Sequence, residues 1–172
     1  MVKVSNLVVR FNLNRKLDSA RLFNINNIQS KAKGNLAQIK SSKMEGVVSI
    51  YFGGTLISTG TKRIELAKKD LEYTIKVLEE NGLVEVIKVI PRIINITAIL
   101  DLHTKIPLEE ISLDQIGIYE PEQFPALILK NKNPKSTYLI FNSGKIVITG
   151  VNSFARLEIA SEYISSMLLH YL

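Results

Sequence analysis

The sequence predicts an α+β fold made of two tandem copies of one strand–helix–strands–helix unit. Three observations carry this. The chain repeats itself at a spacing of 89, then 90, residues. Each copy holds four β-type runs separated by turn signals. Each copy also closes on a segment whose apolar residues recur every three or four positions, the spacing of one helix face.

The two copies match position by position. Lys3–Leu7 lies on Arg92–Ile96, and Leu13 and Lys16 on Leu102 and Lys105. Ala37 and Ile39 meet Ala126 and Ile128, and Phe52 meets Phe141. A one-residue gap is placed in the first-copy turn Gly53-Gly54, against Asn142-Ser143-Gly144. Beyond it Thr59-Gly60 lies on Thr149-Gly150, Glu72-Tyr73 on Glu162-Tyr163, and Leu78 on Leu168. A period this long with one gap means a duplicated domain, with copies at 1–88 and 89–172, and not a solenoid.

Each copy opens on a strand, Val4–Leu13 or Ile93–Leu102, followed by a short helix near 19–26 or 108–116. Three strands come next: Leu36–Ser41, Val47–Phe52 and Thr55–Thr59, matched by Pro125–Lys130, Thr137–Phe141 and Lys145–Thr149. In the first closing helix Ile64, Ala67, Leu71, Ile75 and Leu78 form the apolar face, and Asn81-Gly82 stops it. In the second, Phe154, Leu157, Ala160, Ile164 and Met167 do the same. Helices and strands in this order form layers, with the helices covering one sheet face.

Bulk properties narrow the function. The 172 residues are 46% hydrophobic, enough for a core, and no apolar run is long enough to span a membrane. The start, MVKVSNLVVRF, lacks the features of a signal peptide, and the absence of cysteine fits an intracellular protein without disulfides or Cys-bound metal. The net charge of +6 favours an anionic partner. Enzyme readings find little support: His103 and His170 stand far apart, and no phosphate loop, nucleophile motif or carboxylate pair is present. Asp101-Leu102-His103 reads as a strand end.

The stretch Tyr119–Gly150 carries the most specific signal. It contains Tyr119-Glu120-Pro121-Glu122, Phe124-Pro125, Leu139-Ile140-Phe141, Ser143-Gly144-Lys145 and Thr149-Gly150 in order. This series resembles the second repeat of the TATA-box-binding protein family. The resemblance implies a curved antiparallel saddle sheet with four helices on its convex face. It also implies a concave face set into the minor groove of A·T-rich double-stranded DNA. It further implies that aromatic wedges inserted between base steps kink the duplex, as they do in that family.

The resemblance assigns roles to particular residues. Asn6 and Asn95 match the family's paired asparagines, which donate to A·T acceptors, and mid-strand Asn is otherwise disfavoured. Thr59 and Thr149 match base-contacting threonines. Val8, Ile57 and Val147 fit apolar groove contacts, with Thr97 where Val is commoner, and Ile50 and Leu139 fit the same surface. Phe124 and Phe141 match a wedge pair; in the first copy Phe52 stands alone, because its partner position holds Asn35. Lys130, Lys135 and Lys145 match phosphate contacts, against Ser41, Val47 and Thr55 in the first copy. Tyr119, Glu120, Glu122 and Gln123 match the loop that meets the B-type transcription initiation factor.

These expectations describe an archaeal-type initiation factor, cytoplasmic and nucleoid-associated. It is not an enzyme, needs no cofactor, binds no membrane, and reaches RNA polymerase indirectly. The divergent first-copy face leaves one alternative: a relative acting mainly as a protein-interaction module or regulator with weak or no DNA bending. A third reading, a substrate-binding subunit of a nucleic-acid enzyme, would need a separate catalytic chain.

Overall fold

Alternation along each strand decides which side chains meet the helices. In β1 (Lys3–Asn12) Leu7, Val9 and Phe11 are buried, while Asn6, Val8 and Arg10 lie on the other side. The computed structural model describes residues 2–26, 28–30, 36–85 and 88–172. The chain divides into two units: Asn6–Ile94, and Met1–Ser5 with Asn95–Leu172. By packing, Ser5 goes with the second unit, where its Oγ donates to the Thr97 carbonyl at 3.0 Å.

The first unit is an antiparallel sheet in the order β2 (Ile28–Ser30), β3 (Leu36–Ile39), β4 (Val47–Tyr51), β5 (Thr55–Thr61), β1. The short α1 (Ser19–Phe23) and the long α2 (Ile64–Glu80) accompany it. Asp18 starts α1 by accepting from the Ala20 and Arg21 amides. Ala67, Leu71, Ile75 and Leu78 bury the expected face of α2 against β4 and β5, and Gly82 ends it with a left-handed φ of +66°. Arg21 Nη2 then donates to the Asn81 and Gly82 carbonyls at 3.0 and 3.1 Å, holding that helix end. Two polar residues join the buried face, Asp70 and Thr74. The Asp70 carboxylate accepts from the Glu45 and Gly46 amides at 3.1 and 2.8 Å, fixing the entry to β4.

The second unit runs β6 (Arg92–Asp101), β9 (Lys145–Val151), β8 (Lys135–Ile140), β7 (Leu127–Lys132), all antiparallel, with α3 (Leu108–Leu113) and α4 (Phe154–Leu168). The expected three-strand meander is therefore β7–β9. On α4 the buried stripe is Leu157, Ala160, Ile164 and Leu168; Phe154 is exposed and Met167 only half-buried. Tyr138 lies wholly in this core, its hydroxyl accepting from Ser136 Oγ at 2.8 Å and donating to the Ala160 carbonyl at 3.0 Å. Burial raises its phenol above the ordinary tyrosine range, with the Ser136 bond opposing.

The strand β2 has no expected counterpart in the sequence reading; in the second unit only an isolated bridge, Ile118 to Ile128, stands beside the strand that corresponds to β3. The gap between copies also moves. Ser49 pairs with Ile57 and Ile50 with Leu56, as Leu139 pairs with Val147 and Ile140 with Ile146. The offset is thus 90 already before the turn. Gly54 and Gly144, at φ +95° and +90°, close matching turns by donating to the Tyr51 and Phe141 carbonyls. A Cβ on either would strike a carbonyl, Arg15 at 2.0 Å or Thr104 at 2.2 Å. Equal turns leave no room for a missing residue there, so it falls between α1 and β3, partly outside the described residues. The consequence is a correction: Tyr51, not Phe52, stands opposite Phe141, and Phe52 stands opposite Asn142.

Candidate nucleic-acid interface

In each unit the helices pack on the side that carries the buried strand residues, and the other side is an open sheet face. Two matching constructions dominate it. The register of β1 on β5 slips between Leu7 and Val8, and that of β6 on β9 between Ile96 and Ala98. Each slip is a β-bulge at a glycine, Gly60 at φ +93° or Gly150 at φ +86°, a conformation a side chain would strain. The bulge turns the glycine N–H toward an asparagine. Gly60 donates to Asn6 Oδ1 at 2.8 Å, and Gly150 to Asn95 Oδ1 at 2.9 Å.

An N–H only donates, so each amide is fixed with its oxygen to the glycine and its Nδ2 as the remaining donor. Asn95 Nδ2 lies 3.2 Å from Thr149 Oγ1 and 3.5 Å from Thr97 Oγ1, and those two hydroxyls are 3.2 Å apart. In the first unit Val8 replaces Thr97, and Asn6 Nδ2 has no protein partner among the described residues.

Cross-strand pairing lines up a row on each face. In the second unit it is Ile128, Leu139, Val147, Ile99, entirely apolar. In the first it is Gln38, Ser49, Ile57, Arg10, with Gln38 Nε2 donating to Ser49 Oγ at 3.0 Å. The expectation for Ile50 fails here. It is fully buried among the helix-facing residues, and Ser49 holds the surface position, because a one-residue change of register sends a side chain to the opposite face. Counting back from Thr59-Gly60, and not forward from Phe52, would have found Ser49 and Tyr51.

Phe124 and Phe141 meet edge to face, centroids 6.1 Å apart, at the rim of the second unit's face. Phe52 sits in the turn after β4 with its ring edge-on to Phe23 of α1 at 5.6 Å, while Tyr51 is 37% exposed. Asn35 lies outside the described residues. Lys130, Lys135 and Lys145 are exposed and share the parity of Ile128, Leu139 and Val147, so they belong to the open face. With the offset at 90, Lys40 and not Ser41 stands opposite Lys130, and Glu45 and not Val47 opposite Lys135. Tyr119 is half-buried, and Glu120, Glu122 and Gln123 are exposed in a turn where the Glu120 carbonyl accepts from the Gln123 and Phe124 amides, both at 2.9 Å. One turn thus sets both the acidic groups and the Phe124 ring.

Among the described residues no group of three His, Cys, Asp or Glu side chains could hold a metal, and no helix is long and apolar enough to cross a membrane. His103 caps a strand end, its amide donating to Asp101 Oδ1 at 2.9 Å.

Two like units, each presenting an open sheet face with a bulge-oriented amide, make this a repeat-built α+β protein. A family profile described as "Transcription factor TFIID (or TATA-binding protein, TBP)" matches residues 90–171. The TATA-box-binding protein of Archaeoglobus fulgidus is 31% identical, over 97% of this chain and 94% of that one. That of Sulfolobus acidocaldarius is 32% identical, over 87% of this chain and 78% of that one. The solved structure of Methanococcus jannaschii TBP shares the fold at a TM-score of 0.88 and 28% identity, covering 98% of both chains. The chain belongs to the TATA-box-binding protein family, a family of transcription factors and not of enzymes.

Proposed function

We propose that this protein is an archaeal-type transcription initiation factor that binds and bends A·T-rich, TATA-type promoter DNA through the minor groove. It then recruits a B-type initiation factor and, through that factor, RNA polymerase. The observation that carries the reading is the glycine-oriented amide, built twice, at Asn6 and Asn95. The minor groove of A·T pairs offers acceptors only, so an amide held with its nitrogen as the donor fits it.

Each remaining group has a task in this reading. Val8, Ile57, Thr59, Thr97, Leu139, Val147 and Thr149 contact the groove floor and walls. Phe124 and Phe141 enter a base step and unstack it; Tyr51 takes that place in the first unit. Lys130 and Lys145 contact phosphates, with Lys135 beside them. Tyr119, Glu120, Glu122 and Gln123 receive the B-type factor. A cytoplasmic, nucleoid-associated location goes with this role.

The test is a gel shift on TATA-containing and scrambled duplexes, with and without B-type factor. The expected result is a preference for the TATA duplex that the factor strengthens. Equal binding to both duplexes, unchanged by the factor, overturns the reading. The polar row Gln38-Ser49 on the first face favours one second reading, a protein-interaction module with little DNA bending. Absence of duplex protection at low salt, together with stable binding of the B-type factor, would establish it.

A further inference from the structure

The two open faces differ most in their cross-strand rows, and the difference bears on which base pairs each can accept. Ile128, Leu139, Val147 and Ile99 present carbon alone, whereas Gln38, Ser49, Ile57 and Arg10 present an amide, a hydroxyl and a guanidinium. In the minor groove a G·C pair differs from an A·T pair by the guanine 2-amino group, a donor projecting into the groove. Against an apolar row that donor is buried without an acceptor, which costs the free energy of an unmade hydrogen bond. Against Gln38 and Ser49 it is not.

Gln38 gives one amide hydrogen to Ser49 Oγ at 3.0 Å and keeps the lone pairs of its own oxygen. Ser49 Oγ keeps a lone pair and its proton. The pair can thus receive a guanine amino group, or turn a proton to the adenine N3 or thymine O2 of an A·T pair. Arg10 can only donate, so the accepting role falls to Gln38 and Ser49.

We infer that Gln38 and Ser49 make the base pairs under the first unit tolerant of G·C, while the second unit, with Ile128 and Leu139 in the matching places, holds its base pairs to A·T. The site this protein selects is then degenerate at one end. This inference rests on the minor-groove reading proposed above.

The experiment replaces each A·T pair of a bound duplex in turn by G·C and measures the affinity ratio within each protein, so changes in absolute affinity cancel. For the wild-type protein, a G·C pair in one half should cost no more than about threefold, and in the other about tenfold or more. Gln38→Ile with Ser49→Leu should raise the tolerant half to the stricter penalty. The reciprocal pair, Ile128→Gln with Leu139→Ser, should relax the strict half, and circular dichroism confirms that both variants fold. Binding selective for A·T with equal penalties in both halves, or penalties unmoved by either pair of substitutions, overturns the inference and leaves the minor-groove reading standing. Failure to bind any duplex overturns both.

Discussion

The backbone N–H of Gly150 donates to Asn95 Oδ1 at 2.9 Å, and this one bond leaves Asn95 Nδ2 as the donor, set toward Thr149 Oγ1 at 3.2 Å. Replacing Asn95 by Ala removes that donor and should weaken binding to an A·T duplex by about 1–3 kcal/mol. Asn95→Asp separates structure from recognition. It keeps an acceptor for Gly150 but sets a charged acceptor against the groove, so affinity should fall further than with Ala while the melting temperature holds. Anisotropy titrations and thermal melts read the two effects. If neither Asn6→Ala nor Asn95→Ala changed affinity, the groove assignment would be wrong.

Exposed Lys130, Lys135 and Lys145 on one face, in a protein of net charge +6, make binding depend on salt. With roughly six phosphates neutralised, affinity should drop about a thousandfold between 50 and 200 mM salt. Lys130→Ala and Lys145→Ala should each reduce the slope of log affinity against log salt by about one, across all duplex sequences. A flat salt response would remove the DNA-binding reading.

Asp70 bears on stability alone. Its carboxylate is buried in α2 and accepts from the Glu45 and Gly46 amides. Asp70→Ala leaves both donors unpaired and should cost about 3 kcal/mol. For a protein of this length the melting temperature should fall by roughly 6–12 °C. Asp70→Asn keeps one acceptor and should lose less. A melt unchanged by Asp70→Ala would mean that these amides find water at no cost.

Much of this architecture was legible in the sequence. The duplication, the apolar face of α2 and the glycines that close turns follow from spacing, because burial imposes a period of two on strands and of 3.6 on helices. Asn6 and Asn95 stood out because Asn suits a strand interior poorly. Register was the part that spacing could not settle. Tyr51-Phe52 offers two adjacent aromatic residues, and identity drew the alignment to Phe52; the turn at Gly54 fixes it at Tyr51. That one step misplaced Ile50 and hid Ser49. Asp70 was equally hidden, since a carboxylate within a helix reads as solvent-facing until the amides it accepts from are seen.

Glu120 and Glu122 share their turn with Phe124, whose amide donates to the Glu120 carbonyl at 2.9 Å. The proposed roles of this turn can be separated by charge. Glu120→Lys with Glu122→Lys should raise intrinsic duplex affinity severalfold at low salt, since it adds positive charge to a DNA-binding protein. The same variant should lose the enhancement given by the B-type factor. Gel shifts with and without that factor test both halves, and an enhancement that survives reversal would place the factor elsewhere.

Tyr51 and Phe52 make competing claims to the wedge position of the first unit. Tyr51 stands where Phe141 stands, 37% exposed at the end of β4, while Phe52 lies one step into the turn with its ring against Phe23. A tyrosine pushed between bases carries its hydroxyl toward the stack, where it costs free energy unless it finds a partner. Unstacking itself costs a few kcal/mol per step, offset by the contacts a bent duplex allows. A tyrosine wedge should recover less of that cost than the Phe124–Phe141 pair, so the kink under the first unit should be the shallower. Tyr51→Phe should increase the bend, and Tyr51→Ala should reduce it, as read by fluorescence transfer between duplex ends. Phe52→Ala should leave the bend alone and lower stability by about 1 kcal/mol or more through loss of the edge contact with Phe23. The reverse pattern, a bend lost with Phe52→Ala and untouched by Tyr51→Ala, would return the wedge to Phe52 despite the register of β4 on β5.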